Sequence, residues 1–329
     1  MTDGPIRGRI LLVAFEGWTD AGDAASEALR LVIQESELET IDSISTEEFL
    51  DFNFTRPVIR RLPDGTRAIS WPETLLLAPT KPSREAGLAD DAGFDMAESV
   101  EGNLYALLGV EPSRNWHLFT DTVMELVARY DIEVIVFLGS LLADTPHTRA
   151  IPVTVTSEAE HVRERLDIGR SEYEGPTGII SMLEIEAEAM GIPTVQIWAS
   201  VPHYVQSAPV PKAIVALLDK LGEVIDYAPP LGDLPEQVRE WESGVSEFAS
   251  QDDEMRAYIG MLEERRDTVD SPKASGEALA KEFERFLEQR RDSRDASPGA
   301  GFAKDIGESA EEAPDERDDD GEDDAPPPV

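Results

Sequence analysis

The sequence predicts a three-layer α/β/α domain with a mainly parallel sheet, followed by a C-terminal helical extension and a disordered acidic tail. Short continuous apolar runs at residues 10–15 and 133–138 are typical of strands buried on both faces. Such runs alternate with amphipathic segments over the first 226 residues, which is the pattern of right-handed crossovers on a parallel sheet. After Pro229 and Pro230, apolar residues recur every three or four positions, which indicates helices.

In chain order, the predicted elements follow one another with short links. The predicted strands are residues 10–15, 74–77, 104–108, 133–138, 153–156 and 194–199. The predicted helices are residues 21–33, capped by Thr19 or Asp20, then 120–130, 157–166 with a capping box of Ser157 and Glu160, 179–190 and 212–221. Residues 56–62 and 67–71 flank the turn sequence Pro63-Asp64-Gly65-Thr66 and predict a β-hairpin. Residues 81–102, rich in Asp, Gly and Ala, are predicted to be an inserted loop.

The predicted domains are the α/β/α domain over residues 1–228, the helical extension over 229–294 and the tail over 295–329. The extension is predicted to pack as a helical hairpin or small bundle, on the α/β domain or on another subunit, and we expect packing within the chain. Its apolar seam consists of Leu234, Val238, Trp241, Val245, Phe248, Met255, Ile259, Leu262, Leu279, Phe283 and Phe286. Residues 304–329 contain twelve acidic and two basic residues and few large apolar side chains, so we expect a disordered, solubilising tail.

The composition restricts the class of partner. The chain has 68 acidic residues against 29 Lys and Arg, and its formal net charge of −39 repels phosphate backbones and anionic lipids. We therefore expect neither a nucleic-acid partner nor a membrane partner, and no stretch approaches the ~20 apolar residues that span a bilayer. Cysteine is absent, which excludes disulfides, thiolate metal sites and thiol nucleophiles. This composition fits a soluble cytoplasmic protein.

Four polar segments lie beside predicted strand or helix ends, where open parallel sheets bind ligands. The candidate ligand- or partner-binding residues in them are Glu16, Gly17, Gly139, His147, Arg149, Thr177, Gly178, His203 and Tyr204. The sequence Gly175-Pro176-Thr177-Gly178 before a helix could cradle an anion, or it could be only a tight turn. It matches neither a Walker loop nor a dinucleotide fingerprint. The carboxylates of the first segment argue against phosphate there and favour helix capping.

The four histidines, at positions 117, 147, 161 and 203, lack the spacing of metal ligands, so we expect no metal site and no cofactor. His147 and His203 each follow a proline just beyond a predicted strand end. Together with Arg149 they could face one cleft and bind an anion or perform acid–base chemistry. Equally, they could belong to rigid loops whose polar groups bond the backbone. A triad of Ser140, Asp144 and His147 is disfavoured because the nucleophile elbow is missing. Catalytic residues therefore stay unassigned.

Five segments in order resemble the proteasome assembly chaperone 2 family, specifically its actinobacterial branch. They are Phe15-Glu16-Gly17-Trp18-Thr19-Asp20-Ala21-Gly22; Gly109-Val110-Glu111-Pro112 with Trp116 and Phe119; Leu138-Gly139-Ser140 with Pro146-His147-Thr148-Arg149; Gly175-Pro176-Thr177-Gly178-Ile179; and Trp198-Ala199-Ser200-Val201-Pro202-His203-Tyr204-Val205. The sequence Glu282-Phe283-Glu284-Arg285-Phe286-Leu287 is similar to the C-terminal region of the branch. The resemblance implies a phosphorylase-like α/β/α fold, a helical extension, homo-oligomerisation and partners among proteasome subunits.

Two classes of function remain open. The first is a non-enzymatic assembly chaperone or scaffold, which the family resemblance and the helical extension favour. The alternative is a small-molecule-binding protein or enzyme of nucleoside phosphorylase or hydrolase type that uses the strand-end cleft. An enzyme requires His147, Arg149, Thr177 or His203 to converge on a common point. We expect the chaperone class, because a fold alone does not define a function.

Overall fold

Nine strands and seven helices form the part of the chain that a computed structural model describes, which is residues 6–79, 100–205 and 207–271. The strands are β1 (Ile10–Glu16), β2 (Leu38–Ile44), β3 (Val58–Arg61), β4 (Arg67–Ser70), β5 (Thr74–Pro79), β6 (Leu104–Val110), β7 (Val134–Ala143), β8 (Val153–Thr156) and β9 (Thr194–Pro202). The helices are α1 (Ala24–Glu35), α2 (Trp116–Arg129), α3 (Glu160–Leu166), α4 (Ile179–Ala189), α5 (Pro211–Ile225), α6 (Leu234–Ser250) and α7 (Asp253–Val269). Short 3-10 turns at Ala21–Asp23 and Val100–Asn103 precede α1 and β6.

A seven-stranded sheet with the order β2-β5-β6-β1-β7-β9-β8 organises the fold. Its four central strands, β6, β1, β7 and β9, are parallel to one another. The outer strands β2, β5 and β8 are antiparallel to their neighbours. Strands β3 and β4 pair only with each other, as a hairpin apart from this sheet. The sheet is therefore mainly parallel at its centre and antiparallel at both edges.

Alternation of side chains along the central strands divides the apolar core into two layers. On β1, Ile10, Leu12 and Ala14 face a core that includes α1 and α5. The intervening residues Leu11, Val13 and Phe15 face a second core that includes α2 and α4. Because successive strand residues point to opposite faces, an uninterrupted apolar run supplies both layers at once. This arrangement confirms the predicted α/β/α fold.

The C-terminal helices belong to the same compact unit as the sheet, which comprises residues 1–270. Helix α6 packs against α5, and α7 packs against α6. Trp241 of α6 lies against the core that includes α1 and α5, and Ile259 and Leu262 of α7 are buried. Phe248 is 67% exposed, so the prediction that it belongs to the buried seam is wrong. Its helical position faces solvent because no described element covers that side of α6.

Three local predictions need correction. Strand β2 is not predicted by its sequence, because it is an edge strand in which only the end residues Leu38 and Ile44 are buried. Helix α2 begins at Trp116 and not at residue 120, after Asn115 adopts a left-handed φ of 56°. Helix α3 begins at Glu160 and not at residue 157. Ser157 is buried, and its hydroxyl donates to the Thr194 carbonyl oxygen on β9 at 2.6 Å.

Other local predictions are confirmed. The Asp20 carboxylate accepts hydrogen bonds from the backbone N–H groups of Ala25 and Ser26, at 2.7 and 3.1 Å, and so satisfies donors of the first turn of α1, although this helix begins at Ala24 and not at residue 21. The hairpin forms around the predicted turn at residues 63–66. The predicted acidic tail, the predicted helix around Phe283 and all but the end of the inserted loop at 81–102 lie outside the described residues. In the described part, no helix is long and apolar enough to cross a membrane.

Candidate functional site

The loops that follow β7 and β9 meet at one edge of the sheet. These two strands are parallel and stay in register from Ile135 opposite Thr194 to Ala143 opposite Pro202. Their carboxyl ends therefore coincide, and the His203 N–H donates to the Ala143 carbonyl oxygen at 3.2 Å. The register brings together five polar residues, which we call the strand-end cluster: Asp144, His147, Arg149, His203 and Tyr204.

His147 is buried and has a partner on each side of its ring. The Tyr204 hydroxyl accepts a hydrogen bond from the His147 backbone N–H at 2.7 Å and lies 2.9 Å from Nδ1. On the other side, Nε2 lies 2.9 Å from the Ser246 hydroxyl on α6. In the tautomer in which the Tyr204 hydroxyl donates a hydrogen bond to Nδ1, Nε2 carries the ring hydrogen and donates to the Ser246 hydroxyl. The neutral imidazole is thus hydrogen-bonded at both ring nitrogens.

The electrostatic surroundings keep His147 neutral. Burial is the main cause that lowers the pKa of His147 below its ordinary 6.5, and the nearby Lys212 ammonium acts in the same direction. The carboxylates of Glu242 and Glu263 oppose this shift. Lys212, on α5, donates from Nζ to the His147 carbonyl oxygen at 2.7 Å and forms an ion pair with Glu242 on α6. The histidine loop is therefore fixed to both α5 and α6.

Arg149 is bound by carboxylates of α7. Its Nε and Nη2 lie 2.7 and 2.9 Å from the two carboxylate oxygens of Asp267, which is a bidentate arrangement. Its Nη1 lies 3.3 Å from Glu263, which also accepts a hydrogen bond from the Thr148 hydroxyl. The Asp267 carboxylate raises the pKa of Arg149 further above its already high value, so the guanidinium stays charged. Arg149, which the sequence predicts as a group that could bind an anion, is therefore paired with carboxylates of its own chain.

The outer part of the strand-end cluster is aromatic. His203 and Tyr204 each make an edge contact with Tyr258 of α7, with ring centroids 5.7 and 6.4 Å apart. Asp144 accepts a hydrogen bond from the Tyr258 hydroxyl at 3.1 Å and lies 3.3 Å from the His203 ring. Burial raises the pKa of Tyr204 to about 12, so its hydroxyl stays protonated. The cluster is joined to α7 by aromatic contacts as well as by charges.

Thr177 and Gly178, which precede α4, have their own contacts within the chain. Glu111 accepts a hydrogen bond from the Ile179 N–H at 2.9 Å, so this carboxylate occupies the predicted anion cradle at the start of α4. Burial raises the pKa of Glu111, although hydrogen bonds from Ile179 and Trp18 oppose the shift. A Cβ atom on Gly178 would lie 2.5 Å from that carboxylate, which explains the glycine. The Thr177 hydroxyl donates to Ser181.

Glu16, Gly17 and Gly139 have structural surroundings of their own. Glu16 forms an ion pair with Arg30 of α1, and Gly17 turns the chain with a φ of 120°. Gly139 lies opposite Trp198 in the register of β7 and β9, and a Cβ atom there would lie 2.6 Å from the indole ring. The disfavoured triad is not formed, since the Ser140 hydroxyl donates to the Ala21 carbonyl oxygen at 3.0 Å. Among the described residues, no group of three potential metal ligands occurs.

Sequence reasoning missed the residues that close the strand-end cluster. Ser246, Tyr258, Glu263 and Asp267 lie about a hundred residues beyond His147 and Arg149 in the chain. Their only signal is helical spacing, since Glu263 and Asp267 are four residues apart and so share one face of α7. Glu111 carried a clearer signal, because it is an acid placed directly after a buried strand.

The fold and the site define an α/β/α protein whose strand-end groups are bound by its own C-terminal helices. The PAC2 family model matches residues 14–249, and the chain belongs to this family, as the sequence resemblance predicted. A PAC2 family protein of known structure from Streptomyces avermitilis is 36% identical, with a TM-score of 0.65, and the alignment covers 76% of this chain and 99% of that chain. No curated protein matches the sequence significantly.

Two further structures are similar to this chain. The proteasome-assembly chaperone homologue of Mycobacterium tuberculosis is 34% identical, with a TM-score of 0.63, over 76% of this chain and 99% of that chain. PbaB of Pyrococcus furiosus, an archaeal proteasome activator, is 13% identical, with a TM-score of 0.56, over 75% of this chain and 96% of that chain. At 13% identity, the similarity to PbaB supports the fold alone.

Proposed function

We propose that this protein is a non-enzymatic assembly chaperone or scaffold whose partners are proteasome subunits. The observation that carries the proposal is the state of the strand-end cluster. His147 is bound by Tyr204 and Ser246, and Arg149 is bound by Asp267 and Glu263. A ligand that used these groups would have to compete with Ser246 of α6 and with the two carboxylates of α7. An enzyme keeps such donors free or aims them at a reacting atom.

The surface beside the cluster supports the same proposal. A shallow, open depression there is lined by Thr148, Arg239, Glu242, Ser243 and Ser246. Small-molecule sites are normally deeper, more enclosed and mostly apolar. Family membership and the name of the mycobacterial relative supply the link to proteasome assembly. We also propose, from the absence of cysteine, that the protein acts in the reducing cytoplasm.

Reconstituted assembly tests the proposed function directly. Recombinant proteasome α and β subunits from the same organism are mixed with equimolar protein, and ring formation is followed by native mass spectrometry and by the onset of peptidase activity. We expect a complex with α subunits and faster formation of complete particles. An unrelated protein of similar size and net charge controls for non-specific effects. The absence of a complex at micromolar concentrations, together with an unchanged assembly rate, would contradict the proposal.

Calorimetry tests the alternative of a small-molecule binder or enzyme. Phosphate and nucleosides at millimolar concentration are titrated into the wild type and into Arg149→Met. We expect no measurable heat of binding to either protein, because Asp267 already neutralises Arg149. Saturable binding to the wild type that is lost in Arg149→Met would replace the chaperone proposal with the alternative.

A further inference from the structure

The β3–β4 hairpin presents apolar side chains to solvent. Ile59 and Ile69 are 56% and 57% exposed. The other exposed apolar side chains of the hairpin and its flanks are those of Phe54, Val58, Leu62 and Trp71. A two-stranded hairpin is marginally stable in water unless another element covers one face. Exposed apolar groups at this density mark an interaction surface.

Contacts at the base and a tight turn at the tip hold the hairpin in a fixed form. At the base, the Trp71 ring makes an edge contact with Phe52, with ring centroids 5.1 Å apart, and the Thr46 hydroxyl donates to the Pro72 carbonyl oxygen at 2.6 Å. At the tip, Gly65 adopts the positive φ of 85° that the turn requires. Binding through the hairpin therefore costs little conformational entropy, because the surface is already formed.

One face of the hairpin is free of the rest of the protein. On β4, Arg67 and Ile69 are exposed, whereas the residues that alternate with them are half-buried. Arg61 and Ile59 of β3 lie directly opposite Arg67 and Ile69 and are exposed as well. Residues two apart in a strand share a face, so all four side chains lie on one side of the hairpin. We call these four side chains the hairpin face.

The register places the two arginines of the hairpin face against each other. The Leu62 N–H donates to the Thr66 carbonyl oxygen at 2.8 Å, and hydrogen-bonded pairs alternate along antiparallel strands. The next pair, Arg61 with Arg67, is therefore a non-hydrogen-bonded pair, in which the Cβ atoms are about 5 Å apart. Like charges in this position destabilise a hairpin. One carboxylate has enough acceptor sites to bind both guanidinium groups and would remove the repulsion.

The described part of the chain supplies no such carboxylate. No salt bridge joins Arg61 or Arg67 to a described acidic residue. The Arg61 guanidinium donates to the Gly65 carbonyl oxygen of its own turn at 3.1 Å. Residues 54–71 contain four arginines and one aspartate, whereas the whole chain has a net charge of −39. The hairpin is thus a cationic and apolar element of a strongly acidic protein.

We propose that the hairpin face binds an extended segment of a partner protein in which an acidic side chain alternates with apolar ones. The isoleucine pair lies two residues, or roughly 7 Å, along the strands from the arginine pair. In an extended partner segment, side chains at positions i and i+2 have the same spacing and point to the same side. A carboxylate at i would bind both arginines, and an apolar side chain at i+2 would cover both isoleucines. An apolar side chain at i+4 would lie toward Trp71, two residues beyond Ile69.

The charge of the remaining chain favours a narrow protein segment over a lipid bilayer or a nucleic acid. A bilayer or a duplex is an extended anionic surface, and it would face the acidic body as well as the hairpin. A single segment contacts the hairpin face alone, and charges more than about 8 Å away are largely screened at physiological ionic strength. The proposal rests on the hairpin and does not depend on the proteasome role.

A synthetic peptide tests the proposal on the full-length protein. The probe is fluorescently labelled, has neutral ends and the sequence Thr-Glu-Thr-Val-Thr-Val-Thr, and its binding is followed by fluorescence anisotropy in about 150 mM NaCl. We expect saturable binding with a Kd below about 1 mM. The matched control, Thr-Thr-Glu-Val-Thr-Val-Thr, has the same composition but places the glutamate on the opposite side from the valines. We expect it to bind at least about tenfold more weakly.

Protein variants assign the binding to the hairpin face. We expect R61E/R67E to bind the probe at least about tenfold more weakly and to bind the same peptide with lysine in place of glutamate, which the wild type does not bind. This exchange of charge distinguishes a changed surface from an unfolded hairpin. R129E/R170E changes the net charge by the same amount at exposed arginines elsewhere, and we expect it to bind the probe like the wild type.

Several results would overturn the proposal. They are absence of binding to the wild type at about 1 mM probe, equal binding of the two glutamate peptides, wild-type affinity in R61E/R67E, failure of this variant to bind the lysine peptide, and an equal loss in R129E/R170E. Sedimentation with phosphatidylserine vesicles and sedimentation velocity of the protein alone test other occupants. Vesicle binding or self-association that R61E/R67E abolishes, without binding of the probe, would replace the proposed partner with a lipid surface or a second copy.

Discussion

Two regions contain the same kinds of side chain in opposite circumstances: the strand-end cluster, and the β3–β4 hairpin with its flanks at residues 54–71, which we call the hairpin arm. Both present arginines and aromatic rings. Arg149 is paired with Asp267 and Glu263, and Trp241 packs on the core beside His147. In the arm, Arg61 and Arg67 have no carboxylate partner among the described residues, and Trp71 is half exposed. The difference lies in what the chain itself packs against each region.

This contrast shows why residue type alone does not define a binding site. An arginine and two histidines beyond strand ends satisfy the sequence pattern of an anion-binding cleft, yet α6 and α7 use those groups for internal contacts. The arm has no catalytic residue pattern, yet its groups remain available to a partner. Which groups remain exposed is therefore decided by tertiary packing and not by residue type.

The largest expected effect is the difference in the free energy of unfolding between the alanine variants of Trp241 and Trp71. We expect Trp241→Ala to lower the free energy of unfolding by about 2–4 kcal/mol, because it removes a ring packed on the core and against His147. We expect Trp71→Ala to change it by less than about 1 kcal/mol, because its ring is half exposed. Urea unfolding followed by circular dichroism measures both values.

Trp241→Phe is the matched control for this comparison. The indole N–H of Trp241 is buried without a hydrogen-bond partner among the described residues, so phenylalanine keeps a ring and removes an unsatisfied donor. We expect the free energy of unfolding of Trp241→Phe to be much closer to that of the wild type than the value for Trp241→Ala. If Trp241→Ala and Trp71→Ala lowered the free energy of unfolding equally, the two regions would not be packed as differently as we infer.

The central sheet is predictable from the sequence because it depends on local signals. The runs at residues 10–15 and 133–138 are apolar at every position and become β1 and β7. Strand β2 escapes prediction because, as an edge strand, it buries only its ends and alternates weakly. The two histidine loops could be placed at one cleft because parallel strands end together. His147 and His203 do both contact Tyr204.

The partners of the candidate site could not be predicted in the same way. Asp267 reaches Arg149 across 118 positions of the chain, and the contact depends on how α6 and α7 pack. Helical spacing identifies an amphipathic helix but does not specify which element it packs on. Phe248 illustrates this point, since its spacing matches the apolar seam and yet its side chain is exposed.

The next expected effect is a dependence of stability on pH that arises in the cluster. Burial lowers the pKa of His147 in the folded protein, with Lys212 assisting and Glu242 and Glu263 opposing. The unfolded chain therefore takes up a proton at this residue near pH 6.5, before the folded chain does. This contribution to stability is present above the unfolded pKa and is lost as the pH falls through the folded pKa. Urea midpoints between about pH 7.5 and 5 measure the loss.

Two variants isolate the contribution of His147. We expect His147→Gln, which keeps polar groups in place but does not titrate, to lose less stability than the wild type over the same pH range. We expect His117→Gln, at an exposed position on α2, to follow the wild type. A wild-type pH profile in His147→Gln would show that other groups, such as the carboxylates of this acidic chain, cause the whole dependence.

The smallest expected effect compares one arginine from each region at two salt concentrations. Arg149→Met removes an exposed bidentate pair, so we expect a modest decrease in the urea midpoint at low salt that shrinks at about 1 M NaCl, where surface charges are screened. Arg67→Met removes a cation without a described carboxylate partner and relieves repulsion with Arg61, so we expect no decrease, or a small increase, at low salt. The two variants remove the same charge, so the sign of the difference reports only what surrounds each arginine. A decrease of equal size in both variants would mean that the surroundings of the two arginines do not differ in their effect on stability. A decrease in Arg149→Met that salt does not change would mean that aliphatic packing, and not charge pairing, accounts for the contribution of Arg149.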